Sequence, residues 1–445
     1  MTTPAAPPRR PSPLQCPRQT RPAPCRAAAG LAALLAAVLC GTAAAQVSPY
    51  YVGVAQTLAY NANVRRVGEG EHLPVADNIR KSDLISSTAL VAGVDQSFGR
   101  QRVYGSGRLG LDRYQHNTTL NGQTYNLNLG LDWATVERLS GSVSVSAAQN
   151  LAQFNAGIRN GTLLTAPNVS NTEQLNARVA LGMVTRYTAE ASLGWRRQRY
   201  SATEYQAYAF DESNGSVGLR YRPSDLLALG AALRLTQASY PRFNEPTPGV
   251  FVADTLRRED IDFTAQWQPS GASTVNARLS PTRTRHERDT ATNFSGLTGS
   301  AAWTWAATGK TQLAATLSRD TSQSAQASSL GIFGNRVTDF GQITSALQLR
   351  ADHALTGKAS LNSTLGYAHR TLNSNQVNTL LPNQIQQASD NSATLALGAR
   401  WAPTRGSLVG CDISHEQRKS SNKALLPTLS ASLFSCYGQF TLQSL

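Results

Sequence analysis

Few residue types in this chain are placed to do covalent or metal chemistry. Its 445 residues include six histidines and five cysteines, all scattered, with no HExxH or CxxC spacing and no neighbourhood that suggests a Ser/His/Asp triad. Gly105, Gly107 and Gly110 match GxGxxG, but that motif binds phosphate only between a strand and a helix, and here the pattern continues as a strand. The sequence therefore predicts no catalytic residue, no metal site and no cofactor.

Arginine is the residue type that offers most for binding. The chain carries 41 Lys+Arg against 27 Asp+Glu, a formal net charge of +14. Within segments of alternating polarity, nine arginines share the polar parity. They are Arg108, Arg178, Arg196, Arg220, Arg222, Arg234, Arg278, Arg350 and Arg400. Arginines that line an aqueous channel favour anions, so this set predicts a basic pore lining.

The alternative is that each of these arginines is neutralised by an acid on the same face. Four acids are candidates: Asp95, Asp112, Glu190 and Asp320. The arginines exceed these acids in number, so we expect a net attraction for anions.

The first 45 residues have the layout of an export signal. Residues 1–26 hold five arginines and no acid, residues 27–39 are an apolar run of 13, and Ala43, Ala44 and Ala45 form an A-x-A site. Thirteen apolar residues are too few for a transmembrane helix. We expect a secretory signal peptide cleaved after Ala45; a lipoprotein leader at Cys40 is the weaker alternative.

The remaining chain, residues 46–445, alternates with a period of two. The pattern is clear over residues 175–182, 217–222, 227–236 and 393–401, where one face is apolar and the other polar or small. No apolar stretch after the leader approaches 18 residues, so transmembrane helices are not expected. The period is typical of strands that face different media on their two sides.

Short turns and longer polar loops alternate along this part of the chain. Eight short turns and nine loops, among them residues 241–256 and 373–387, separate eighteen strands with both termini at the short-turn side. Bacterial outer-membrane barrels have this asymmetry and an even strand number. We therefore predict an all-β fold: a transmembrane antiparallel up-and-down β-barrel of about 18 strands, with 16 the nearest alternative. Pro281 is expected where one strand leaves the bilayer, because proline cannot donate to the ladder.

Four tryptophans provide an independent indication of membrane geometry. Trp133, Trp267, Trp305 and Trp401 each lie within a few residues of a short turn and continue the apolar face. Aromatic side chains of this kind form girdles at the membrane–water boundary. Ordinary packing in a β core is the alternative.

Two cysteines remain after the leader. Cys411 and Cys436 have apolar parity in the last two predicted strands, and antiparallel pairing would bring them near each other. Spacing does not fix the geometry that a disulfide needs. A disulfide and two separate lipid-facing thiols therefore both remain open.

The mature chain resembles the family called putative β-barrel porin 2. The resemblance rests on Ala-Ala-Ala-Gln at residues 43–46, Pro-Tyr-Tyr-Val at residues 49–52, the Gly-rich alternating strands, and Gln-Phe-Thr-Leu at residues 439–442. It covers roughly residues 46–445, and none of its motifs is catalytic. The family comprises outer-membrane barrels often associated with exopolysaccharide biosynthesis operons in proteobacteria. The resemblance implies a conduit for secreted polysaccharide whose basic lumen suits acidic sugars.

These observations lead to one functional expectation and two alternatives. We expect a pore-forming barrel, not an enzyme, in the outer membrane of a Gram-negative cell that passes an anionic exopolysaccharide. The alternatives are a general diffusion porin for small anionic solutes and a surface-loop adhesin or enzyme barrel. The expected partners are outer-membrane lipid and lipopolysaccharide, the barrel-insertion machinery, and polysaccharide with its export components, but not nucleic acid. The basic run at residues 283–288 is expected at an extracellular strand end, where it meets lipopolysaccharide.

Overall fold

A computed structural model describes most of the chain that follows the predicted leader. It covers residues 49–70, 73, 79–152, 167–182, 186–247, 250–288, 293–321, 342–376, 384–422 and 428–443. Apart from two short 3₁₀ segments, Thr118–Leu120 and Thr203–Tyr208, the regular structure of these residues is β-strand. The predicted signal peptide, residues 1–45, lies outside the described residues. Among the described residues, no helix is long and apolar enough to span a bilayer.

Eighteen strands follow one another along the chain. They are β1 Tyr50–Asn61, β2 Asp83–Phe98, β3 Gln101–Tyr114, β4 Gly122–Ala134, β5 Leu139–Leu151, β6 Val169–Leu181, β7 Tyr187–Tyr200, β8 Phe210–Ser224, β9 Leu227–Thr247, β10 Val250–Ser270, β11 Ser273–His286, β12 Phe294–Ala306, β13 Thr311–Thr321, β14 Gln342–Ala354, β15 Ala359–Gln376, β16 Gln384–Thr404, β17 Ser407–Ser420 and β18 Leu429–Gln443.

The strands close into a barrel. Each pairs antiparallel with its chain neighbours, and β1 also pairs with β18, with Tyr51 opposite Gln443 and Asn61 opposite Leu433. Closure leaves no open edge, which is the condition for a sheet in hydrocarbon, where unpaired backbone groups cannot be hydrated. The predicted barrel of 18 strands is confirmed.

The two faces of the sheet differ as the alternation predicts. Along β1, Val52, Val54 and Leu58 are 60%, 50% and 53% exposed, whereas Ala55 and Thr57 on the other face are 3% and 1% exposed. The exposed apolar side chains lie on the outer surface and form a lipid-facing band. We call the opposite surface, formed by the residues of the other parity in β1–β18, the inner wall.

The connections differ at the two ends of the barrel. All eight predicted short turns fall between strands at one end, which also holds the start of β1 and the end of β18; we call it the short-turn end. The opposite end is the loop end. Small apolar clusters lie there beneath the connections, for example Ala59, Val64, Ile85 and Leu120.

Two predicted loops are largely replaced by strand. In the loop expected at residues 373–387, residues 373–376 belong to β15 and residues 384–387 to β16. Residues 241–256, expected to form a loop, largely continue β9 and β10, which extend to Thr247 and from Val250. Register shifts separate the pairs of Val252 with Asn244 and of Asp254 with Tyr240, and Pro241 falls between these pairs. A bulge tolerates a residue that lacks an N–H, so proline there does not end the strand.

Pro281 lies within β11, on the outer face between Leu279 and Arg283. It is opposite Leu297 of β12, but the ladder to β10 has no pair between Asp260–Thr282 and Phe263–Leu279. The interruption coincides with the change from an apolar to a charged outer surface.

Aromatic side chains mark the short-turn end of the outer surface. Trp267 and Trp401 are 49% and 54% exposed there, and the rings of Trp303 and Trp305 stack with centroids 5.7 Å apart. The Trp303 Nε1–H donates to the Ser273 hydroxyl at 2.8 Å. Such placement, with the ring in the apolar band and its N–H at the polar edge, is typical of a girdle.

Trp133, the fourth predicted girdle residue, lies across the ladder from Gly141. A Cβ at Gly141 would lie 2.5 Å from Trp133 Cζ2, so glycine there makes room for the indole. Tyr187 and Tyr221 stack with centroids 4.8 Å apart at the same end of β7 and β8.

The structure joins Cys411 and Cys436 in a disulfide. The two residues are directly opposite in the β17–β18 ladder, with Cα atoms 4.0 Å apart and sulfurs 2.09 Å apart. They lie on the outer face between strands that the backbone ladder already holds together.

Replacing both cysteines by serine should therefore leave the barrel intact. The loss of a cross-link across 25 residues should lower the free energy of unfolding by about 3.5 kcal/mol at most, because the ladder persists without it. Urea unfolding in lipid vesicles measures the change. Quantitative maleimide labelling of two thiols in the unreduced, denatured wild type would contradict the disulfide.

Candidate functional site

The inner wall is the candidate functional site. The strand register places eight of the nine predicted arginines on it, and the ninth, Arg222, follows the last inner-wall arginine of β8 just before a register shift. The eight are Arg108, Arg178, Arg196, Arg220, Arg234, Arg278, Arg350 and Arg400.

Five of these arginines form ion pairs with inner-wall carboxylates. Arg178 and Arg220 share Glu190, Arg234 and Arg278 share Asp262, and Arg350 binds Asp352. The alternative that inner-wall acids neutralise the predicted arginines therefore holds for five of the nine. Glu190 and Asp320 are among the partners, as that alternative proposed.

The expectation that arginines outnumber inward acids is wrong. Four further arginines lie on the inner wall: Arg102, Arg258, Arg370 and Arg418. The described strands carry fourteen carboxylates on the same wall, against the twelve arginines that the register places there. They are Asp83, Asp95, Asp112, Asp132, Glu190, Glu212, Asp254, Asp260, Asp262, Asp320, Asp352, Asp390, Asp412 and Glu416. The overall field is thus close to balanced, and local geometry decides where an anion meets positive charge.

The densest group of charges lies on β9–β13. Three arginines and three aspartates, which we call the central network, are Arg234, Arg258, Arg278, Asp260, Asp262 and Asp320. Arg258 is at its centre: its side chain is 2% exposed, with Nε 2.9 Å from Asp260 and Nη1 2.9 Å from Asp320. Equal numbers of opposite charges allow such a group to be buried.

Hydroxyl groups complete the central network. Ser280 donates to Asp262 at 2.5 Å and Thr282 donates to Asp260 at 2.6 Å. Arg258 Nη1 also donates to the Thr321 hydroxyl at 2.9 Å. Because the charges and hydroxyls satisfy one another, this part of the wall stabilises the barrel and offers little to a solute.

A more accessible group lies on β6–β8. Arg178 Nη2 is 2.6 Å and Arg220 Nη2 is 3.1 Å from the carboxylate of Glu190, and the three side chains are 46%, 32% and 22% exposed. We call these residues the exposed trio. Two guanidinium groups share one carboxylate, so the trio keeps one positive charge that faces the lumen.

The other predicted arginines have no ion pair among the described residues. Arg400 is exposed, and Arg196 lies with its guanidinium 5.3 Å from the centroid of Phe210. Arg108 is opposite Asn126, and Arg222 is exposed near the short-turn end. These guanidinium groups are the remaining candidates for contact with a solute.

Two aspartates hold connections at the loop end, a feature the sequence analysis missed. Asp83 accepts hydrogen bonds from the backbone amides of Asn117 at 2.6 Å and His116 at 3.0 Å, and Arg65 Nε donates to the Asn117 side chain at 2.8 Å. These bonds tie residues 62–70 and 115–121 to β2. An Asn three residues past a strand end gives little warning of such a contact in sequence.

Asp254 plays the same part on β10. Its carboxylate lies 2.7 Å from His286 Nδ1 and accepts the Arg288 amide at 2.9 Å, and the histidine and aspartate are both buried. This pairing could not be predicted from sequence, because His286 and Asp254 are 32 residues apart. The pair anchors the end of β11. In the chain that the structure describes, no group of three or more His, Cys, Asp or Glu could hold a metal ion.

Removing the central charge of the network should destabilise the barrel. Arg258→Gln leaves Asp260 and Asp320 buried with one partner fewer, which should cost about 3–5 kcal/mol. Arg178→Gln is the control, because an ion pair of a half-exposed arginine contributes about 1 kcal/mol or less. Urea unfolding of both variants in vesicles measures the difference. If both variants lost the same free energy of unfolding, burial would not distinguish the central network from the ion pair of Arg178.

Comparisons with solved structures found several chains to which this one is similar. The chain is similar to OccK9 (OpdG) of Pseudomonas aeruginosa, with 12% identity, 88% of this chain and 98% of that chain covered, and a TM-score of 0.43. It is similar to the FrpB iron transporter of Neisseria meningitidis (F5-1 variant, apoprotein form), with 7% identity, coverage of 88% and 81%, and a TM-score of 0.46. It is also similar to Pseudomonas aeruginosa OpdK with vanillate, with 12% identity, 88% of this chain and 98% of that chain covered, and a TM-score of 0.43.

No curated protein matches the sequence. The model of one family, described as "Putative beta-barrel porin 2", matches residues 282–425, roughly a third of the chain. That segment runs from within β11 to the connection that precedes β18. The chain is thus a closed 18-stranded β-barrel, and its later strands match the model of the putative β-barrel porin 2 family.

Proposed function

We propose that this barrel is an outer-membrane pore that passes an anionic, hydrophilic substrate, and that the substrate is an acidic exopolysaccharide. The observation that carries the proposal is the exposed trio. Arg178 and Arg220 flank a single Glu190 on a wall that is otherwise close to charge balance. A surplus guanidinium that faces water binds carboxylate or phosphate groups by charge-assisted hydrogen bonds.

The polar surface around the trio suits a sugar chain. Besides Arg196 and Arg234, the inner wall near the trio carries neutral donors and acceptors: Asn126, Asn128, Gln174, Asn176, Ser192 and Ser216. The Ser192 and Ser216 hydroxyls lie 2.7 Å apart between the trio and the loop end. Hydroxyl and amide groups exchange hydrogen bonds with sugar hydroxyls as readily as with water, so a polysaccharide would slide without strong binding.

The outer surface supports the proposed location. An apolar band surrounds the barrel, and aromatic rings mark its short-turn end. Barrels of 16–18 strands leave an aqueous channel between such walls. By analogy with outer-membrane barrels, the short-turn end would face the periplasm.

Ion selectivity in planar bilayers tests the anion proposal. Changing Arg178, Arg220 and Arg400 together to Glu should move the reversal potential in a KCl gradient from anion towards cation preference, because six unit charges change on the lumen side. Arg234 is unsuitable as a target, since it belongs to the buried central network.

The matched control is Arg197→Glu, which changes an exposed arginine of β7 that lies on the outer face. It should leave selectivity unchanged. An unchanged reversal potential in the triple variant, with single-channel conductance retained, would end the anion proposal.

A diffusion porin for small anions is the second candidate, and the small net charge of the trio favours it. Its surplus is one charge, which is enough for a single carboxylate or phosphate group. A deletion strain separates the candidates. Loss of surface polysaccharide, restored by the wild type but not by the charge-reversed triple variant, is expected for polymer export. Normal surface polysaccharide with slowed uptake of small anions would support the diffusion porin instead.

A further inference from the structure

A second group of arginines lies on the outside of the barrel. At the loop end of β10 and β11, the outer face carries Arg257, Glu259, Arg283 and Arg285, all exposed. We call this group the outer arginine patch. Arg257 is directly opposite Arg285, and Glu259 is directly opposite Arg283. Glu287, also exposed, follows Arg285 by two residues, and its N–H donates to the Thr255 carbonyl. Three positive charges and two negative charges therefore share a small surface that faces away from the lumen.

Arg257 and Arg285 place like charges opposite each other in the β10–β11 ladder. Side chains directly opposite in an antiparallel pair have Cβ atoms about 5 Å apart, and like charges at that distance destabilise the pair. Within the described residues, none of Arg257, Arg283 and Arg285 forms an ion pair at 4.0 Å or less. The pairing of Arg257 with Arg285 thus calls for an anion from outside.

The height of the patch identifies the surroundings from which that anion would come. On the outer face of β10, Trp267 lies at the short-turn end and Arg257 is ten residues further along the strand. Ten residues span about 33 Å, and a strand tilt of about 40° reduces this to a height of about 25 Å. That equals the usual height of the apolar band, so the patch lies at the boundary of the opposite leaflet.

The outer face of β7 and β8 provides a contrast at the same height. Arg197 is ten residues from Tyr187 of the stacked pair, as Arg257 is from Trp267. Here the protein supplies the carboxylate: Arg197 Nε is 2.9 Å and Arg199 Nη2 is 2.5 Å from Asp211. At this boundary the arginines of β7 are therefore paired with a carboxylate of β8, whereas Arg257 and Arg285 of β10 and β11 have no ion pair among the described residues.

We infer that the outer arginine patch binds the phosphate groups of an anionic lipid in the loop-end leaflet. Paired guanidinium groups present several N–H donors in a fixed fork that fits phosphate oxygens. The patch borders the lipid band directly, with Leu279 and Phe263 exposed below it, so acyl chains and headgroup would both find matching surface. The inference rests on the proposed membrane location and does not involve the lumen.

Lipid retention by the purified full-length barrel tests this inference. The probe is diphosphoryl lipid A, titrated onto the folded protein in neutral detergent and counted by native mass spectrometry. The test variant is Arg257→Gln with Arg285→Gln, and the control is Arg197→Gln with Arg199→Gln, which removes the same number of charges at the same height. The wild type and the control should retain the lipid, whereas the test variant should show at least a tenfold weaker affinity.

Lipid A without its phosphates should bind the wild type as weakly as the intact lipid binds the test variant. Equal retention of both lipids, or equal retention by the test variant and the wild type, would overturn the inference. Channel conductance of the same samples shows that each variant is folded. Ion selectivity depends on inner-wall residues and lipid retention on outer-face residues. Failure of the lipid experiment therefore does not contradict the proposed pore function, and failure of the selectivity experiment does not contradict lipid binding.

Discussion

The constraint that governs this molecule is the absence of water in the membrane interior. A backbone N–H or C=O that faces hydrocarbon must find its partner within the protein, and a sheet achieves this only by closing on itself. The pairing of β1 with β18 satisfies that condition. Closure fixes the direction of every side chain, because a strand sends successive residues to opposite faces. One face must then be apolar, and the charges of the strands collect on the other.

Charged side chains inside the barrel have two roles: buried ones stabilise the wall, and exposed ones are available to a solute. The central network on β9–β13 balances three arginines against three aspartates around Arg258, and it links β9, β10, β11 and β13 across the inner wall. The exposed trio on β6–β8 keeps a surplus charge in contact with water. Stability therefore comes from charges that satisfy one another, and the proposed selectivity from charges that do not. The outer arginine patch extends the same distinction to the lipid boundary.

Much of the architecture could be predicted from sequence because it depends on local patterns. The period of two, the eight short turns and the positions of Trp267 and Trp401 follow from neighbouring residues alone. The balance of charge on the inner wall could not be predicted in the same way. Arg258 and Asp260 share a strand parity that is visible in the sequence, but Asp320 joins them only through the register of three ladders. Proline usually marks a loop, so the sequence predicts one at residues 241–256, whereas a bulge accommodates Pro241 within the strand pairing.

The central claim is that adjacent residues of one strand face water and lipid in turn. Single cysteines at successive positions of β6 test it directly, since the two native cysteines of the barrel are joined to each other. In liposomes, a membrane-impermeant maleimide should label Arg178→Cys rapidly through the pore and Val179→Cys at least tenfold more slowly. Asn176→Cys and Ala177→Cys should repeat that difference. Equal labelling of neighbouring positions would contradict the account.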